Sequence, residues 1–253
     1  MAAWDPSFFR KSPLFWPIAR AAGRLERFAE WPAPEDLVAL FDGEPPVRFE
    51  RATPQPRRAP VPALARYDAR IALERTVSTR PASWHDLLNA LVWATFPRAK
   101  LALHARQHRM IAARLGDDLR LPGARTKEQD AVAMLDEGGV VLLCPRGQRR
   151  AMGNAIKERA GAGVVDLVAR GDASAVVFGH AIYEGLACAG PERVYAAAYV
   201  VEVDAIPEGA PERIGAADAA LAALLDREAP IERGEFGTVA VGEKLARATA
   251  SRL

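Results

Sequence analysis

The side chains whose ordinary pKa lies nearest neutrality are four histidines, and they are confined to two motifs. Three lie in TRPASWHDLLNALVWATFPRAKLALHARQH, from Thr79 to His108, and the fourth, His180, sits in FGHAIYEG. Imidazoles held beside carboxylates serve as general acids and bases, or as ligands to a divalent metal such as zinc. His85, Asp86 and His180 are therefore the candidate catalytic residues and also the candidate metal ligands, with Asp130 or Glu184 to orient an imidazole. Asn89 follows His85 by one helical turn, and with Lys100 and Arg125 it makes the candidate substrate-binding set, the two cations neutralising an anionic group. The reading requires His85 and His180 to converge although they are far apart in the chain.

Two further arrangements compete with this one. His104 and His108 are spaced i, i+4, so both imidazoles can reach one ion from a helix face, as in the HExxH of zinc proteases. Here the motif is HARQH, which lacks the glutamate, and such pairs are more often metal-free. Cys144 at a strand end could approach His180 as a nucleophile. There is no GxSxG, and Gly161-Ala-Gly163 is too short for a dinucleotide-binding loop.

The elements that must position these residues can be read from spacing. Ser83 followed by Asp86 is a capping-box pattern before LLNALVW and predicts a helix over 84–96, apolar nearly all round and therefore buried. A His and an Asn inside it need partners, since burying each without one costs about 1–3 kcal/mol. Pro97 opens a second helix over about 97–115 that stacks Lys100, His104 and His108 on one stripe, with Arg98, Arg106 and Arg109 expected to face solvent. Thr126 and Gln129 form another capping box, for a helix ended by Gly138-Gly139, with Asp130, Met134 and Glu137 on one face. GVVLLC then reads as a central strand covered on both sides.

QRRAMGNAIKERA reads as an amphipathic helix, GAGVVDLVARGDAS as a loop, and AVVFG as a strand turned by Gly179 into a helix starting at His180. VYAAAYVVEVDA, AADAALAALLD and GEFGTVAV supply a strand, a helix and a weaker strand. Upstream, residues 17–30 and PEDLVALF read as short helices of a packing arm, and six prolines in 45–62 make an extended connection holding at most one short edge strand. RIALERTV, 70–77, alternates as a strand. The expected fold is α+β, mostly helical, with helices packed on a small mixed sheet, divided as an N-terminal arm and connection over 1–62 and one α+β domain over 63–253.

At 253 residues, half of them apolar, the chain can bury a substantial core. It lacks a membrane-length apolar run and a signal-peptide pattern, which points to a cytoplasmic protein with no membrane partner. Two cysteines read as buried hydrophobes, not a disulfide framework. Arg outnumbers Lys by 29 to 5, a bias attributed to base composition. Net charge is +2, but residues 51–127 hold 15 basic and 5 acidic groups and residues 128–253 hold 13 and 19. That asymmetry suits an anionic small molecule, or halves that complement one another; nucleic acid is disfavoured because no basic run is interleaved with aromatics.

The stretches TRPASWHDLLNALVWATFPRAKLAL, RTKEQDAVAMLDEGGVVLL and FGHAIYEG resemble a bacterial family known only as domain of unknown function 3025, over roughly residues 66–190. The resemblance implies a standalone bacterial protein and carries no activity. Two functions follow from the residues alone. One is a metal-assisted or acid-base hydrolase acting on an anionic small molecule or phosphoester; the other is a non-catalytic binding protein in which the same His, Asp and Asn form a buried polar network and the basic middle segment presents a face to a partner or nucleic acid.

Overall fold

The computed structural model describes residues 3–53, 67–115, 124–158, 161–188 and 194–253. In chain order the regular elements are α1 (Ala19–Gly23), β1 (Arg48–Arg51), α2 (Tyr67–Glu74), β2 (Thr76–Thr79), α3 (Trp84–Thr95), α4 (Pro97–Ala112) and α5 (Lys127–Gly138). They continue as β3 (Gly139–Pro145), α6 (Arg149–Lys157), α7 (Ala162–Arg170), β4 (Ser174–Val177), α8 (His180–Cys188), β5 (Val194–Val203), α9 (Ala210–Asp226), β6 (Gly237–Val241) and α10 (Glu243–Ala250). The four-stranded sheet runs β4-β3-β5-β6, with β3 antiparallel to β4 and parallel to β5, and β6 antiparallel to β5. The fold is thus mostly helical α+β on a small mixed sheet. A separate parallel pair joins β1 to β2.

β3 is interior as its unbroken apolar run demands: Val140, Val141, Leu142, Leu143 and Cys144 are fully buried, and α5, α6 and α9 all pack on β3 and β5. Two stretches take a different form from the one their patterns suggest. Residues 70–74 complete helix α2, with Ile71 one turn after Tyr67, and only Thr76–Thr79 is strand, so the alternation in RIALERTV spans two elements. GVVDLVAR is helix α7, because Val164 and Val168 share one buried face; Gly171, at φ 83°, ends it with the left-handed residue expected at a helix C-terminus. The C-terminal α10 buries Leu245, Ala246, Ala248 and Thr249.

The arm contributes to the same hydrophobic cluster as the sheet. The Phe8 ring meets Trp84 edge-on with centroids 5.0 Å apart, and Phe15 stacks on Tyr183 at 5.5 Å. The residues preceding His85 and Glu184 are therefore anchored in one aromatic cluster, which ties α3 to α8. Among the described residues no helix is long and apolar enough to cross a membrane.

Candidate metal centre and its cavity

His85 enters the site from the first turn of α3. Ser83 caps that helix, its Oγ accepting from the Asp86 N–H at 3.3 Å. The reciprocal half of the box is diverted: the Asp86 carboxylate accepts from the Arg80 N–H at 2.6 Å and from its guanidinium at 2.7 Å. Asp86 thus stays at the helix entrance and does not join the imidazoles, although both it and Arg80 line the cavity.

His180 is delivered by the junction of β4 and α8, which crosses the junction of α5 and β3. The N–H groups of Phe178 and Gly179 both donate to the Gly139 carbonyl, at 3.0 and 2.9 Å. A side chain at 179 has no room, since a Cβ there would lie 2.5 Å from the Glu137 carbonyl oxygen and 2.6 Å from Gly138 Cα. Glycine at this crossing lets the start of α8 close on the end of α5, which sets His180 beside Asp136 and Glu137.

At that point three acceptors converge. The Nε2 atoms of His85 and His180 lie 3.1 Å apart, and Glu137 Oε2 lies 3.3 Å from His180 Nε2. One such atom from each of the three residues lies within 4.8 Å of the others, the one cluster of three His, Cys, Asp or Glu side chains this close among the described residues. The opposite nitrogens are already committed. His85 Nδ1–H donates to Glu184 Oε2 at 2.9 Å, and His180 Nδ1–H donates to the Asp136 carbonyl at 2.9 Å. In neutral rings both Nε2 atoms therefore present lone pairs to each other and to a carboxylate. Burial, with the charge of Lys100, draws the His180 pKa down to about 4 against the opposing pull of Asp136. Burial and the neighbouring Asp136 raise that of Glu137.

Behind the cluster, Lys100 is fully buried and its Nζ donates to Asp136 Oδ1 at 2.6 Å. Burial alone would push the Asp136 carboxyl up, but Lys100 and the nearby imidazoles hold it down at about 2. The ammonium also sits over the Trp93 ring, 5.6 Å from its centroid. Lys100 is therefore spent on the protein itself, and of the candidate substrate-binding cations Arg125, exposed on the cavity rim, is the one left toward a ligand.

The cavity has a volume of about 700 Å³, within the range of small-molecule sites. Along α5 its lining runs from Glu137 to Asp130, about 10 Å at the helical rise. Asn89, His104, Tyr67 and Asp68 form a second wall. His104 Nδ1–H donates to Asp68 Oδ1 at 2.8 Å and its ring stacks on Trp93, so it does not pair with His108 around an ion. Nor is a cysteine-histidine pair formed: His180 meets the start of β3, whereas Cys144 lies near its other end, about 16 Å along the strand.

Arg106 also departs from expectation. It is buried, paired with Glu128, and donates to the carbonyls of Leu225, Arg227 and Ala229, so it closes the C-terminal end of α9 instead of facing water.

A family model described as "Protein of unknown function (DUF3025)" matches residues 56–237, more than half of the chain. The chain belongs to that family. No curated protein and no solved structure matches it. The match takes in His85, Glu137, His180 and Glu184 together with the cavity walls, and extends on both sides of the stretch whose motifs carry the resemblance. Glu137 and Asp136 are the site residues that spacing leaves out of the candidate set; the signal for them is their place immediately before the Gly138-Gly139 stop.

Proposed function

We propose that this family member is a divalent-metal-dependent hydrolase of a small anionic ester, with His85, His180 and Glu137 as the protein ligands. The observation that carries the reading is the meeting of a carboxylate oxygen with two imidazole Nε2 atoms whose rings already use their Nδ1–H elsewhere. Ligands about 2.1 Å from a tetrahedral ion sit roughly 3.4 Å from one another, close to the spacings of 3.1 and 3.3 Å found here. Glu184 and the Asp136 carbonyl hold the far nitrogens, the outer support that fixes tautomer and ring orientation in histidine metal sites.

Three protein ligands leave a position facing the cavity, the arrangement of catalytic and not structural zinc. A divalent ion so held supplies Lewis acidity toward a carbonyl or phosphoryl oxygen and acidifies a water molecule. Arg125 at the rim, and Arg80 where Asp86 leaves its donors free, attract the anionic group. A separation of 3.1 Å also suits an N–H···N hydrogen bond between the two rings when one of them carries a second proton, which favours a non-catalytic polar network as the second reading.

Protein purified without a metal-affinity tag should contain about one transition metal per chain. It should hydrolyse p-nitrophenyl phosphate or bis-p-nitrophenyl phosphate, and chelation should remove that activity until zinc or manganese is restored. Negligible metal together with unchanged thermal stability in chelator would defeat the metal reading. Retained metal with no turnover of either ester would defeat the hydrolase reading.

A further inference from the structure

The second wall of the cavity carries polar groups that the metal reading does not use. His104 is 2 % exposed and Asn89 is 8 % exposed, yet among the described residues His104 Nε2 and Asn89 Oδ1 have no hydrogen-bond partner. Each such atom costs about 1–3 kcal/mol if nothing meets it. Their chemistry follows from the bonds their other atoms make. His104 Nδ1–H is given to Asp68, which makes Nε2 an acceptor. Asn89 Nδ2–H donates to the Tyr67 hydroxyl at 2.9 Å, which leaves Oδ1 as an acceptor and the Tyr67 O–H free to donate. The wall thus holds two acceptors and one donor on side chains that line the cavity, the two acceptor atoms themselves being closed to solvent.

We propose that this patch binds a vicinal diol, so that the substrate is a sugar-like or other polyhydroxylated ester. A small side-chain shift that uncovers Asn89 Oδ1 and His104 Nε2 would let two adjacent hydroxyls donate to them, with one of the hydroxyls accepting from Tyr67. An ammonium group would satisfy the two acceptors but would leave the Tyr67 donor unmatched. The cavity, about 700 Å³, has room for a polyol at this wall and a scissile group at the His85, His180 and Glu137 end. The assignment deepens the hydrolase reading and rests on it for the fate of the substrate, but not for the binding of the diol.

Saturation-transfer NMR on the full-length, zinc-loaded protein tests it with D-ribose and putrescine as probes, and zinc content is measured on the same samples. D-Ribose should show transfer to its ring protons, and Asn89→Leu and His104→Phe should each weaken binding about tenfold, the worth of one buried hydrogen bond. Zinc content should stay at the wild-type level in both variants. Circular dichroism identifies a variant that has lost its fold, in which case the other decides. Equal ribose signals in wild type and variants, as expected where an ordered water alone satisfies the patch, overturn the proposal, and so does transfer to putrescine in preference to ribose. If zinc is absent but ribose binding depends on Asn89 and His104, the diol site stands while the metal reading falls.

Discussion

His85 and His104 both donate Nδ1–H to a carboxylate, to Glu184 and Asp68 respectively, and both rings line one cavity, yet their remaining nitrogens meet different surroundings. His85 Nε2 faces a second imidazole and Glu137, so three acceptors share a small volume that suits a cation. His104 Nε2 has no partner among the described residues and meets no second ligand atom, so the same chemistry in a different neighbourhood suits a single hydrogen-bond donor. The function of an imidazole here is set less by the carboxylate behind it than by what converges in front of it. Burial, with Lys100 adding to it, depresses the pKa of His104 as it does that of His180, so neither ring is a cation at neutral pH.

The largest expected effect separates the two ends directly. His180→Ala should abolish stoichiometric metal, measured by elemental analysis of untagged protein, while His104→Ala leaves it intact; loss of metal in both variants would mean the two ends are one site. Next comes the group between them. Lys100→Met leaves Asp136 buried without its partner and should destabilise the fold by about 3–5 kcal/mol in urea unfolding, with Asp136→Leu in the same chain recovering part of the loss. An unaltered midpoint in Lys100→Met would show that the pair is not structural.

A smaller difference concerns the two carboxylates. Glu184→Gln should weaken zinc binding about 10–100-fold in a competition titration against a chromogenic chelator, and Asp68→Asn should leave it unchanged. Equal weakening by both would remove the distinction between the ends. The smallest expected effect is Ser83→Ala, which removes the cap that starts α3 and should cost about 1 kcal/mol of stability without altering metal content. A full loss of metal from that change would mean that the entry of α3, more than the ligands themselves, sets the site.

Much of the scaffold is legible in the sequence because it rests on local signals. The cap at Ser83, the Pro97 start, the reciprocal Thr126–Gln129 box and the unbroken apolar run of β3 are each written within a few residues. The metal cluster is only half legible. That His85 and His180 are chemically notable follows from their scarcity, but Glu137 in place of Asp86 depends on which carboxylate is already engaged. Arg80 takes Asp86 for the turn before α3, and no spacing rule anticipates that. Lys100 is misread for a related reason: on a helical stripe it looks available to a substrate, and only the packing of α4 against α5 shows that Asp136 consumes it. The face of α4 that carries Arg106 is hidden from the sequence because its cover, the end of α9, lies over a hundred residues away.

In the proposed hydrolase a divalent ion sits between His85, His180 and Glu137. Diffraction data collected at the zinc absorption edge from crystals of untagged protein test it most directly. The account predicts one anomalous peak about 2.1 Å from both Nε2 atoms and about 2.0–2.2 Å from a Glu137 carboxylate oxygen. A map without that peak, in which the two rings remain about 3.1 Å apart and share a proton, would contradict it.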